Sequence, residues 1–109
     1  MNLNLPEIMK ALVVESYNSN LVRALAGVKM MEIPVPVVFD GQVLIKVDAA
    51  PVNPSDIAFL RGSYNITKTL PAVPGFEGAG RIVAVVEDVD ETLAGKMVGF
   101  FTQDENVGS

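Results

Sequence analysis

The sequence predicts a mainly β domain with short helices, arranged as a small, partly open barrel. Many short apolar runs are punctuated by glycine and proline, present nine and seven times in 109 residues. The clearest of these runs alternates apolar and polar side chains, the period of a half-buried strand. Helical periodicity is almost absent.

Taken in order, residues 1–8 are an N-terminal extension, and residues 9–15 a first β-type run ending in the turn-rich Tyr17-Asn18-Ser19-Asn20. Leu21 to Ala26 fits either one helical turn or part of a strand, and Gly27 closes it in both cases. Val28 to Ile33 reads as a second strand, which Pro34 and Pro36 stop or confine to an edge by removing backbone donors. After the Asp40-Gly41 turn, Gln42 to Ala49 is the best-defined strand. Its Val43, Ile45 and Val47 face one side, Lys46 and Asp48 the other, and Leu44 breaks the alternation.

Pro51 and Pro54 end that strand, and Ser55 or Asp56 then caps a short helix, Ile57 to Leu60, closed by Gly62. Residues 63–74 are loop. Gly75, Gly78 and Gly80 surround Phe76-Glu77 in a tight backbone passage, which leads into a strand from Arg81 to Val86. The acidic run Glu87-Asp88-Val89-Asp90-Glu91 is a solvated loop, and Met97 to Thr102 a last strand.

Composition narrows the function. The net charge is -5 and no block of Lys or Arg can follow a phosphate backbone, so nucleic acid is excluded as a partner. With neither Cys nor His, the chain has no thiolate or imidazole zinc site, no disulfide, no thiol nucleophile and no Ser-His-Asp triad. Aromatic residues make up 6%, without Trp, so Val, Ile, Leu and Ala are expected to fill the interior. No apolar run approaches the roughly 20 residues of a membrane span, and the start lacks a basic n-region, making the cytoplasm the default expectation.

Three ordered stretches carry a resemblance. They are Met9 to Val14, then Val43 to Ile57 with Arg61-Gly62-Ser63-Tyr64, then Leu70 to Val85, which contains Pro74-Gly75-Phe76-Glu77-Gly78-Ala79-Gly80. Together they resemble the GroES-like domain of zinc-free medium-chain dehydrogenase/reductases, the quinone reductases and 2-enoyl thioester reductases, over about residues 9–102. The resemblance implies a substrate-side domain over residues 9–109, truncated before a Rossmann domain that is absent from this chain. It further implies NADPH as cofactor and a small-molecule quinone or enoyl substrate, and leaves open a homodimer of the complete protein.

The zinc enzymes of that family place Cys where this sequence has Asn53 and His where it has Phe76, so the resemblance implies no metal. In its place, neutral donors must meet the negative charge that develops on a carbonyl oxygen during hydride transfer. Asn53, through its amide, and Tyr64, through its phenol, are the candidate catalytic donors, on segments that the resemblance places beside the nicotinamide. Tyr64 matches the tyrosine that enoyl-thioester reductases use as donor and proton source, and Asn53 with Pro54 is expected on one wall of the cofactor cleft. Each residue has a simpler role open to it: Asn53 as a turn residue, Tyr64 packed on Leu60, Asp56 as a helix cap, and Glu77 as an anchor for backbone, Arg61 or Arg81. The glycines at 78 and 80 complete no GxGxxG. The isolated chain is therefore expected to be inactive. The alternative is a non-catalytic GroES-like binding module that uses an apolar surface from Pro34 to Phe39.

Overall fold

A computed structural model describes residues 5–86 and 88–102. Strand β1 (Ile8–Val14) and strand β2 (Val28–Pro34) form an antiparallel ribbon, in register from Ile8 opposite Pro34 to Val14 opposite Val28. The segment between them is helix α1 (Leu21–Ala26), not strand. Asn20 decides this locally: its side-chain oxygen accepts the Arg23 N–H at 3.0 Å, satisfying a donor that the first helical turn leaves without a partner.

A second sheet is antiparallel in the order β3 (Val43–Ala49), β4 (Glu77–Val85), β5 (Met97–Phe101). Strand β4 begins at Glu77 instead of Arg81, so Gly78 and Gly80 are strand residues and not part of a turn. Gly80 pairs with Val47, and the β3 backbone runs so close that a Cβ there would collide with the Lys46 carbonyl oxygen and lie 2.8 Å from its carbon. Of the three glycines around Phe76-Glu77, only Gly75 takes a positive φ, 104°.

Two register shifts run through the β3–β4 pair, between Leu44 and Ile45 and between Val47 and Ala49. The first explains why Leu44 breaks the alternation: Val43, Leu44 and Ile45 are all half-buried across the irregularity. Val47, expected on the same side as Val43 and Ile45, is more exposed than they are, its cross-strand partner Gly80 having no side chain to cover it.

Helix α2 (Pro54–Leu60) starts earlier than its sequence suggests. Pro54 does not break the chain but opens the helix at its first position, where its missing N–H costs nothing, and Asn53 is the N-cap in place of Ser55 or Asp56. Asp56 serves instead as the third helical residue, its Oδ2 accepting the Asn53 main-chain N–H at 2.8 Å, one arm of a capping box. In the acidic run, Asp90 caps a 3-10 turn, Glu91–Leu93; Glu87 lies outside the described residues.

Val14, at the end of β1, and Ala72, in the loop before β4, exchange backbone hydrogen bonds of 2.8 and 2.9 Å, which tie the ribbon to the segment leading into the second sheet. Among the described residues the sheets do not join into a closed ring, and the architecture is mainly β and open, with short helices, as the sequence predicts. Val, Ala, Leu and Ile make up most of the buried hydrophobic residues, as expected, but the centre of the main cluster is aromatic: Phe59 is fully buried and Phe76 nearly so, packed with Val14, Ala24 and Leu60. Edge-to-face contacts join Tyr17 to Phe59 (5.3 Å between centroids) and Phe59 to Phe76 (5.6 Å). The aromatics are few, but four of them converge here, and rings of this size dominate buried area.

Candidate functional site

The site is built where the N-terminus of α2 meets the start of β4. Asn53 is held there by its main chain, through Asp56, and by its side chain, whose Nδ2 donates to Glu77 Oε1 at 2.6 Å. Glu77 is thus neither an arginine partner nor a backbone anchor. Arg61 donates instead to the Ser19 carbonyl and Arg81 to the Gly95 carbonyl. Asp56 Oδ1 is buried without a hydrogen-bond partner, so this corner is short of donors.

Tyr64 is half-buried, its ring tilted against Phe76 with centroids 5.4 Å apart. Its packing partner is therefore Phe76, the residue that directly precedes the carboxylate bound to Asn53. Phe76 and Glu77 bring the two expected donors to adjacent positions of one segment. Pro54 is exposed at the first turn of α2. An open groove of about 500 Å³ runs alongside, lined by Ala49, Ala50, Pro51, Glu77, Gly78 and Ala79. Its wall is largely apolar, with Glu77 as the titratable member.

Lys68 carries no signal in the sequence, where a lone lysine in a loop reads as solvated. It is 4% exposed. Its Nζ donates to the carbonyls of Val73 (2.9 Å) and Gly75 (3.3 Å) and lies 5.2 Å from the Phe76 ring centroid. The Tyr17 hydroxyl fixes the Lys68 backbone twice, accepting its N–H at 2.8 Å and donating to its carbonyl at 2.9 Å. The loop that carries Tyr64 is thereby pinned at its middle to Tyr17 and at its C-terminal end, through the carbonyls of Val73 and Gly75, to Lys68.

Residues 39–107 match the family model described as the alcohol dehydrogenase GroES-like domain. The chain belongs to this family. The matched segment of the GroES-like domain contains Asn53, Tyr64 and Glu77. Its relatives are medium-chain dehydrogenase/reductases. The mitochondrial enoyl-[acyl-carrier-protein] reductase of Bos taurus is 39% identical over 71 residues, covering 65% of this chain and 19% of that protein. The quinone oxidoreductase of Sus scrofa is 40% identical over 67 residues, 62% of this chain and 20% of that protein. Among solved structures, a candidate NADPH:quinone reductase of Mesorhizobium loti superposes with a TM-score of 0.83 at 37% identity, covering 97% of this chain and 33% of that one. The chain thus spans about a fifth of the curated relatives it matches and a third of that structure.

The donor set can be tested against the two groups that the GroES-like family implies. For zinc it does not fit: Phe76 has no ligand atom and is packed among rings, and the Asn53 amide, itself a poor zinc ligand, is engaged by the Glu77 carboxylate. For a nicotinamide cofactor, an open apolar groove with a polar corner fits one wall of a cleft. Among the described residues, no helix is long and apolar enough to cross a membrane.

Proposed function

We propose that this domain forms the substrate-side wall of the active site in a zinc-independent, NADPH-dependent reductase of quinones or α,β-unsaturated carbonyl compounds, enoyl thioesters included. The observation that carries the reading is the convergence of Asn53 and Tyr64 on Phe76-Glu77, beside an open groove. NADPH, when bound, supplies the hydride. As the acceptor's carbonyl oxygen gains charge, the Asn53 amide and the Tyr64 hydroxyl act as its neutral hydrogen-bond donors, and Tyr64 delivers the proton. Pro54 stands at the rim of the cofactor's side. In the complete protein a dinucleotide-binding domain supplies the opposite wall, a homodimer is its assembly and the cytoplasm its compartment. The isolated 109 residues then bind NADPH weakly and do not turn over.

The natural gene product, taken from its source cells, tests this. Its mass should exceed that of this chain about threefold, and it should oxidise NADPH with one of the two acceptor classes. With an enoyl thioester, Tyr64→Phe is expected to lower kcat by about 10²-fold, the scale of a positioned acid. A near-normal rate in that variant points to quinone reduction, and no turnover with either class overturns the reading. The second reading, a non-catalytic binding module, draws on Val37 and Phe39, which are 73% and 67% exposed.

A further inference from the structure

An asparagine amide has two flips that exchange donor and acceptor, and its neighbours choose between them. Glu77, as a carboxylate, only accepts. With Nδ2 facing it at 2.6 Å the contact is a charge-assisted hydrogen bond; with the amide reversed, two oxygens would stand at that distance. The main chain of Asn53 is fixed independently, by Asp56 Oδ2 on its N–H. The two carboxylates come from different elements, one from α2 and the other from β4, and between them they hold Asn53 in place and in orientation.

We infer that Glu77 is the positioning residue for Asn53, setting the NH2 end of its amide on the β4 side, beside the groove that Glu77 itself lines. This rests on the proposed role of Asn53 as a donor to the acceptor oxygen. One amide hydrogen is engaged by Glu77, and the other is the donor left for a substrate. The two arginines expected to neutralise Glu77 are occupied at carbonyls elsewhere, so its partner in this corner is the neutral amide. Glu77 acts through Asn53 and takes no part in proton transfer.

The side-chain amide protons of Asn53, followed by nitrogen-15 NMR of the chain, test the orientation, and turnover of the natural gene product tests its consequence. In the wild type, one proton of the pair should lie well downfield and exchange slowly. Glu77→Ala should collapse that separation and lower kcat about tenfold with a smaller change in KM, the scale seen when a partner that orients a functional side chain is lost. Glu77→Gln, whose Oε1 can accept the same bond, should restore the separation and most of the rate. An Asn53 pair that Glu77→Ala leaves unmoved overturns the inference. So does a Glu77→Gln protein with wild-type Asn53 resonances and the rate of Glu77→Ala, since Glu77 would then act through its charge. If Asn53→Ala turns over like the wild type, the donor reading of Asn53 fails, while the spectra still report whether Glu77 orients the amide.

Discussion

Lys68 shows how one side chain can organise a loop. Its ammonium has exchanged water for two carbonyls and the faces of two rings, Phe59 and Phe76. Lys68→Met keeps most of the apolar stem but leaves those carbonyls without this donor. The loss is expected to be about 1–3 kcal/mol, the cost of orphaning buried acceptors. Urea unfolding should show a lower midpoint at an unchanged slope; an unchanged midpoint would mean that the loop is held by its backbone alone. Nothing in Asn65-Ile66-Thr67-Lys68-Thr69-Leu70 announces this burial, because the carbonyls that receive the ammonium lie five and seven residues further on and reach it only once the loop has turned back. Asn53 and Tyr64 stand out in the sequence as candidates through their motifs. That they lie against the consecutive residues Glu77 and Phe76 does not, because the pairing of Asn53 with Glu77 spans 24 residues and depends on where β4 begins.

The element boundaries that the sequence misplaces have local physical causes. Pro54 reads as a breaker but occupies the one helical position where a proline fits, so α2 gains its first turn and Asn53 becomes the cap. Strand β3 was the clearest periodic signal, yet periodicity alone contains neither the register shift that leaves Leu44 half-buried nor the pairing with Gly80 that leaves Val47 exposed. In the acidic run, the Asp90 carboxylate accepts the Thr92 backbone N–H at 2.9 Å and its hydroxyl at 2.7 Å, and these bonds hold the Asp90 pKa below the ordinary aspartate value. The sign follows: a carboxyl whose folded-state pKa is lowered contributes stability above its unfolded value and loses it as pH falls through the folded one. The protection factor of the Thr92 amide should therefore drop on acidification through that range, while in Asp90→Asn it should not change with pH. Global stability should hardly move, since the group is fully exposed.

At the scale of the whole molecule, the mainly β class was legible because short apolar runs between glycines and prolines leave few other architectures. The location of the core was not. Tyr17, Phe59, Tyr64 and Phe76 share no period, and only the path of the chain between the two sheets brings them together. That cluster draws Val14 and Ala24 from the part of the chain before residue 39, and Phe59, Leu60 and Phe76 from the part after it. Backbone links cross between the same two parts, from Val14 to Ala72 and from the Asn18 N–H to the Leu60 carbonyl. The shared cluster is thus completed by neither part alone, although the larger part also buries Ile82, Ala84 and Val85 on β4, and the connection between the parts passes through the exposed Val37 and Phe39. The domain is in this sense a natural two-piece assembly. Peptides 1–38 and 39–109, each unable to fold alone, should recover the circular dichroism of the intact chain when mixed, with Phe59→Ala in the larger peptide abolishing the recovery. The pair would then report, as a binding constant between two separable chains, the cohesion that the continuous chain conceals.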